Sequence, residues 1–230
     1  MKGIAYGVGV GPGDPEMMTL KAVRMIREND VIALPGKEPK ETVAYKIAVG
    51  AVPELADKEL ISVYMPMTHD KAEQDRCHAE GAAKIEHYLA QGKNVVYLTL
   101  GDSSIYCTFT YLQRILESHG YETRLVSGIP SFCAAAARVN TPLSIWNEQI
   151  HILPAVHNLQ EALPSSGTCV LMKSGSKMTQ VKQIIRNSGR DAVMVENCGT
   201  PNEKVYLSVD EIPDDAGYYS LIIARENGND

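Results

Sequence analysis

The chain has 230 residues, of which 44% are hydrophobic and 22% charged, and it carries a net charge of -6 at pH 7. A chain of this length and apolar content can bury one large core or two modest ones, so we expect a folded protein. The acidic charge provides no overall field for a nucleic-acid backbone or an anionic membrane, and we expect neither as a partner. The N-terminus leads into a glycine-rich strand rather than a cleavable leader, and no apolar run reaches the ~20 residues that span a bilayer.

The cysteines are odd in number and scattered, and they form no C-x-x-C pair that would indicate a zinc or redox site. We expect most of them to be small, buried apolar side chains, and a reducing cytoplasm to be the compartment. They are Cys77, Cys107, Cys133, Cys169 and Cys198.

Hydrophobic periodicity and helix breakers predict alternating strands and helices in the first half of the chain. The predicted strands are 4–10, 31–34, 60–64, 95–100 and 123–126, and the predicted helices are 20–27, 42–52, 70–91, 105–118 and 132–139. Residues 95–100 form a continuous apolar run, which is typical of a buried parallel strand. The pattern predicts an α/β domain with a mostly parallel sheet covered on both faces.

This alternation breaks at residues 140–147, where we place a domain boundary. The predicted domains are therefore 1–143 and 144–230. The second domain is richer in strands, and we expect a mixed sheet with flanking helices. Its predicted strands are 150–153, 169–173, 192–196, 204–208 and 219–224, and its clearest helix is 177–187.

A glycine-rich segment at residues 7–15 follows the first predicted strand. It does not fit G-x-G-x-x-G, because the third glycine position falls on Pro12, Asp14 or Glu16, and the Walker A pattern is absent. This spacing disfavours a nicotinamide-dependent reductase. The segment ends in Gly-Pro-Gly-Asp-Pro, a stiff turn that can either present backbone to a ligand or simply join a strand to a helix.

A second segment, residues 98–106, again follows a buried apolar strand and contains Gly101-Asp102. Turns at the carboxyl ends of strands line the crevice in which open α/β sheets bind ligands. Asp102 could therefore accept a hydrogen bond from a ligand, or it could cap the following helix.

A third segment, residues 126–137, combines a glycine-proline turn with a run of alanines. Small residues allow a ligand to approach a helix N-terminus, but close packing of a helix on a sheet explains the alanines equally well.

The order of these motifs resembles the tetrapyrrole methylase family across nearly the whole chain. The matching stretches are G-x-G-P-G-D, G-D-x-x-x-Y, G-I-P-S-F-x-A-A-A and Leu171-Met172-Lys173. Within the family, Gly9 to Glu16, Thr19 to Ala22, Met65 to Thr68 and Leu98 to Asp102 look most like the precorrin-2 C-20 branch. One departure is Ser103, which stands where the family usually has proline and could loosen the cofactor loop.

The resemblance implies a homodimer of two α/β domains that binds S-adenosylmethionine in the inter-domain cleft, with no protein-bound metal. It also implies methyl transfer to C-20 of a tetrapyrrole, precorrin-2 or cobalt-factor II, in cobalamin (vitamin B12) biosynthesis. The cofactor-binding residues carried over by motif position are Pro12, Gly101, Asp102, Ile105, Ser131, Phe132, Met172, Gly199 and Ala224.

Such a reaction depends mainly on positioning, although the meso carbon must afterwards lose a proton. The sequence identifies no base for that step: His69 and Asp70 lie in a loop-like stretch that is better explained as a solvated helix start. The substrate carboxylates predict a basic lining that could include Lys173, Lys177 or Arg138, with surface solvation as the alternative. We expect His78 and His87, on the long helix, to be solvated rather than metal-binding.

Three alternatives remain open at this stage. The chain could be a sibling enzyme that methylates another ring position, or a member of the family that modifies a translation factor or ribosomal RNA, although the acidic charge argues against RNA. It could also be a non-catalytic corrinoid- or nucleotide-binding module, for which Ser103 is the only support in the sequence.

Overall fold

A computed structural model describes residues 2–68, 70–154, 159, 163 and 166–226, and it has the predicted α/β class. The chain divides into two compact units, residues 1–130 and 131–230. The first unit contains strands β1 Ile4–Gly9, β2 Val31–Pro35, β3 Glu59–Val63, β4 Val95–Thr99 and β5 Glu122–Val126, and helices α1 Leu20–Glu28, α2 Val43–Ala51, α3 Lys71–Ala90 and α4 Phe109–Ser118. The second contains strands β6 Ile150–Pro154, β7 Thr168–Met172, β8 Arg190–Glu196, β9 Lys204–Tyr206 and β10 Ser220–Glu226, and helices α5 Ser131–Arg138 and α6 Met178–Asn187.

The sheet of the first unit has the strand order β3-β2-β4-β1-β5, and all of its strand pairs are parallel. Strand β1 lies between β4 and β5, so that Ala5 is in register with Val95 on one side and Thr123 on the other. Buried parallel strands need apolar side chains on both faces, and every residue of β4 is buried.

The helices of the first unit cover opposite faces of this sheet. Helices α1 and α2 pack in one apolar core with Val8, Ile32 and Leu98. Helices α3 and α4 pack in the other core, with Ala5 and Tyr97. The helix that follows β1 and the helix that follows β4 therefore lie on different sides of the sheet.

Three helix starts in this unit are fixed by local capping. The side-chain oxygens of Thr19, Thr42 and Asp70 each accept a hydrogen bond from a backbone N–H of the first helical turn. Such caps satisfy N–H groups that have no partner within the helix, and they make a helix start readable from sequence.

The predicted start of α4 at residue 105 is wrong, because the helix begins at Phe109. Tyr106 has φ of 50°, a left-handed conformation that cannot continue an α-helix. The Cys107 Sγ atom accepts a hydrogen bond from the Phe109 N–H at 3.3 Å, which satisfies one of the first N–H groups of the helix. The stretch before Phe109 is therefore a structured loop.

The second unit has a mixed sheet with the order β6-β7-β10-β8-β9. Strands β6 and β7 are parallel, and the other pairs are antiparallel. Helix α5 contacts β10 and β8, and it therefore belongs to this unit. For this reason the division falls at Pro130/Ser131, earlier in the chain than the boundary predicted at 143/144.

All five cysteines are free thiols. Four are buried and only Cys133 is exposed, which confirms that most of them are apolar packing groups. Across the described residues, no helix combines the length and the apolar character needed to cross a bilayer.

Candidate functional site

The carboxyl ends of β1 and β4 form a topological switch point in the first sheet. The chain leaves β1 towards β2 on one side, and it leaves β4 towards β5 on the other. The two following helices cover opposite faces, so the loops after these adjacent strands diverge. Open α/β sheets bind ligands in the crevice that such divergence creates.

Three loops end at this edge of the sheet. We call residues 10–19, after β1, the first loop, residues 100–108, after β4, the second loop, and residues 127–130, after β5, the third loop.

Backbone hydrogen bonds pair the first and second loops. The Gly101 N–H donates to the Gly11 carbonyl at 2.8 Å, and the Gly11 N–H donates to the Gly101 carbonyl at 3.2 Å. This two-residue bridge is antiparallel, although the strands that precede it are parallel. Both glycines have positive φ, 80° at Gly11 and 71° at Gly101, which is a conformation that other residues adopt at a cost.

A close contact of three glycines joins the end of β1 to the second and third loops. A Cβ atom on Gly128 would lie 2.2 Å from the Gly101 carbonyl oxygen and 2.9 Å from the Gly9 Cα atom. A Cβ atom on Gly9 would lie 2.4 Å from the same oxygen. Because these neighbours are backbone atoms, only glycine fits at positions 9 and 128. We call Gly9, Gly101 and Gly128 the glycine junction.

Asp102 connects the second loop to the third. Its side chain is buried, and its Oδ2 atom accepts a hydrogen bond from the Gly128 N–H at 2.9 Å. Its Oδ1 atom accepts from the Ser104 N–H at 2.7 Å and from the Ser104 hydroxyl. Asp102 therefore does not cap α4, which starts seven residues later at Phe109. Both carboxylate oxygens already have partners within the loops.

The residues predicted in the first unit all lie in the first two loops. Pro12 is buried between the two glycines of the first loop, and Gly101 and Asp102 are buried in the second. Ile105 is half-buried in the second loop. The backbone bridge thus pairs Gly101 with Gly11, the residue that precedes Pro12.

The residues predicted in the second unit differ in their surroundings. Ser131 is the first residue of α5 and is half-buried, whereas the adjacent Phe132 is buried. Met172 is half-buried at the end of β7. Ala224 lies in the middle of β10, fully buried in the apolar core against α6, so its side chain offers no surface to a ligand.

Gly199, the remaining predicted residue, lies in a turn that is fixed by a half-buried carboxylate. Its N–H donates to the Glu203 Oε2 atom at 2.8 Å, and the Arg138 Nε atom donates to Oε1. Burial alone would raise the pKa of Glu203, but these bonds outweigh it and lower the pKa below 4.5. Arg138, a candidate for binding substrate carboxylates, thus already binds a carboxylate of its own chain.

Burial raises the pKa of the neighbouring Cys198 thiol to about 11, and the Glu203 charge adds to this effect. Cys198 is therefore a neutral thiol at pH 7.

Three of the histidine and base candidates, Asp70, His78 and His87, make contacts within their own unit. Asp70 caps α3, which confirms the helix-start interpretation, while His69 lies outside the described residues. The His78 ring stacks on Tyr111 with centroids 4.6 Å apart, and the His87 carbonyl accepts from the Gln91 side chain. Within the described part of the chain, no three His, Cys, Asp or Glu side chains are grouped to bind a metal.

Sequence reasoning missed the contacts that Gly9, Gly128 and Ser103 make in this site. Gly9 and Gly128 stand in the segments singled out, but only their spatial contact shows why each must be glycine. Ser103 is fully buried, and its hydroxyl donates to the Val126 carbonyl at 3.0 Å. The side chain thus adds a hydrogen bond between the second loop and the end of β5, which opposes any loosening caused by the absence of proline.

Comparison with known proteins gives consistent matches over the whole chain. Residues 5–213 match the family described as tetrapyrrole (corrin/porphyrin) methylases. The chain is 33% identical to the probable cobalt-precorrin-2 C(20)-methyltransferase of Methanocaldococcus jannaschii, over 96% of this chain and 95% of that protein. It is 28% identical to the cobalt-precorrin-2 C(20)-methyltransferase of Salmonella typhimurium, over 98% of both.

Among solved structures, uroporphyrin-III C-methyl transferase from Thermus thermophilus, in complex with S-adenyl homocysteine, is similar with a TM-score of 0.71. The two are 22% identical, and the match covers 97% of this chain and 98% of that one. This likeness shows that the fold is shared.

Proposed function

The chain belongs to the tetrapyrrole (corrin/porphyrin) methylase family, and from this membership we propose that it transfers a methyl group from S-adenosylmethionine to C-20 of precorrin-2 or cobalt-factor II. The observation that carries this proposal is the similarity, over nearly the full length, to two relatives named for C-20 methylation of cobalt-precorrin-2. The reaction belongs to cobalamin biosynthesis. The divergent loops at the switch point support a ligand site in the first unit.

We place part of the donor site at the first and second loops, with Pro12, Gly101, Asp102 and Ile105. The glycine junction packs the backbones of β1 and of the second and third loops directly against one another, which fixes these loops in position for a ligand. In the second unit the proposal takes Ser131, Phe132, Met172 and Gly199. Ala224 is the candidate with least support, because only its backbone is left for contact.

Bound S-adenosylmethionine supplies a methyl group on a positively charged sulfur, which is already a good leaving group. The protein therefore contributes mainly by orienting the reacting groups, which can lower the barrier by several kcal/mol. Loops that are held by backbone pairs and buried hydrogen bonds suit this role, because they keep their geometry without reorganisation.

The decisive test is incubation of the purified protein with labelled S-adenosylmethionine and precorrin-2, with and without cobalt. We expect label at C-20 of the product, and comparison of the two substrates identifies the form that the enzyme uses. Label at another ring position would instead make the chain a sibling enzyme. Absence of transfer to both forms, with donor binding intact, would favour a non-catalytic binding module.

The location of the donor is tested by titrating S-adenosylhomocysteine into Gly101→Trp. We expect this variant to lose binding, because an indole at this position would occupy the switch point. Gly189→Trp is the matched control: Gly189 has a similar φ of 69°, but an added Cβ atom there meets nothing within 4 Å. Unchanged affinity in Gly101→Trp would remove the second loop from the site.

The proposal also includes a homodimer in the cytoplasm. The dimer follows from the family resemblance, and light scattering coupled to size-exclusion chromatography measures it directly. Five free thiols favour a reducing compartment. A monomeric mass would contradict the homodimer. Recovery of the protein from an oxidising compartment would contradict the cytoplasmic location.

A further inference from the structure

Ser103 has a polar side chain that is fully buried. Its Oγ atom donates a hydrogen bond to the carbonyl oxygen of Val126, the last residue of β5, at 3.0 Å. The family resemblance leads us to expect proline at this position, and proline has no side-chain donor. This chain therefore has a buried hydrogen bond where a proline ring would stand.

This bond lies beside a second connection between the same two loops. Asp102 accepts from the Gly128 N–H, while the next residue, Ser103, donates to the Val126 carbonyl. The two bonds thus hold the chain on both sides of Ser127. The Ser127 carbonyl in turn accepts from the Thr19 hydroxyl, which also caps α1 at the end of the first loop. All three loops are linked through residues 126–128.

Proline and serine can stabilise a loop in different ways. A proline limits its own φ and restricts the residue before it, so it stiffens the chain covalently. A serine restricts the backbone less than a proline does, so it can hold the loop only through a side-chain interaction. A buried hydrogen bond to a carbonyl does this, and losing the donor leaves the carbonyl without that partner.

We propose that Ser103 is a positioning residue for the methyl donor, whose hydroxyl sets the position of Gly101 and Asp102 relative to the third loop. The residue acts through the loop and need not touch the donor itself. This inference rests on the proposed function, because it assumes that the second loop contributes to donor binding.

The test compares wild-type protein with Ser103→Ala and Ser103→Pro by calorimetric titration of S-adenosylhomocysteine, at a temperature where every variant is folded. We expect Ser103→Ala to weaken binding about fivefold to tenfold, roughly the effect of one net hydrogen bond. Ser103→Pro restores the family residue, and we expect it to bind within about twofold of wild type, because covalent stiffness replaces the hydrogen bond.

The control is Ser118→Ala, which removes a hydroxyl bond to the Ile115 carbonyl in α4, away from the three loops. A purely structural role would lower the thermal midpoint of Ser103→Ala without changing the affinity of the folded protein, and this result would overturn the proposal. Equal weakening in Ser103→Ala and Ser103→Pro would overturn it as well. If Ser103→Pro does not fold, the affinity of Ser103→Ala decides alone. Failure of the wild-type protein to bind would instead refute the proposed donor site.

Discussion

The Oδ2 atom of Asp102 accepts a hydrogen bond from the Gly128 N–H at 2.9 Å, which joins the second and third loops through residues 26 positions apart in the chain. Because the carboxylate is buried, this bond is shielded from water and holds the second loop against the third. The contact explains why an acid follows Gly101, whereas the close approach of the Gly101 carbonyl oxygen explains the glycine at position 128.

Asp102→Asn should destabilise the loops while keeping the side-chain shape. The amide has one acceptor oxygen in place of two, so either the Gly128 N–H or the Ser104 N–H loses its partner. We expect a loss of about 1–3 kcal/mol in the free energy of unfolding. Chemical denaturation measures it, with Asp75→Asn in the exposed Lys71–Asp75 pair as the control. Equal stability of the two variants would show that the buried bond contributes little.

Gly128→Ala should lower the thermal midpoint more than Gly189→Ala. At Gly189 the added methyl group meets no atom, so the variant shows only the cost of positive φ, about 1–2 kcal/mol. At Gly128 the methyl group would lie 2.2 Å from the Gly101 carbonyl oxygen, and the backbone would have to move. Thermal unfolding followed by circular dichroism compares the two variants. A smaller decrease in the thermal midpoint for Gly128→Ala would mean that the backbone of the glycine junction can move at little energetic cost.

Glu203→Gln should change how stability depends on pH. The native pKa of Glu203 is lowered below 4.5, so the charged form stabilises the folded protein above that pH. This contribution is lost as the pH falls through the native pKa. The difference in unfolding free energy between wild type and Glu203→Gln should therefore be largest at neutral pH and shrink in acid.

Denaturation at neutral pH and at several values below 4.5 measures this difference. Glu80→Gln, in an exposed ion pair with Arg76, is the control and should show a small effect. A difference that stays constant with pH would contradict a stabilising charge on Glu203.

Cys133 should be the first thiol to react with a disulfide reagent in the folded protein. It is the exposed member of the five. Partial desolvation of the thiol still raises its pKa, so the rate of reaction with the reagent should increase with pH above neutrality. We expect one thiol to be released rapidly in native buffer and five in denaturant, measured by absorbance of the reagent. Cys133→Ser should abolish the rapid phase, and its persistence would show that a buried cysteine becomes accessible.

The parts of the fold that could be predicted depend on short-range features. Thr19, Thr42 and Asp70 cap helices through bonds to residues two or three positions later, so sequence reveals these starts. The start of α4 could not be predicted, because Tyr106 adopts a left-handed conformation that its residue type does not indicate.

The candidate site also has features that could be predicted from sequence and features that could not. Its loops could be located, because glycine-rich turns follow apolar strands in the sequence. The bonds from Asp102 to Gly128 and from Ser103 to Val126 could not be predicted, since they depend on how β5 pairs with β1. Local patterns contain no information on which distant backbone group will face a given side chain.

The position of β1 between β4 and β5 affects how the chain folds during synthesis. Ile4–Gly9 leaves the ribosome long before its partners at Val95–Thr99 and Glu122–Val126. Until then the nascent chain has an apolar segment with both hydrogen-bonding edges open, a state that favours aggregation and chaperone binding. The sheet of the first unit can therefore be completed only after Glu122–Val126 has emerged from the ribosome.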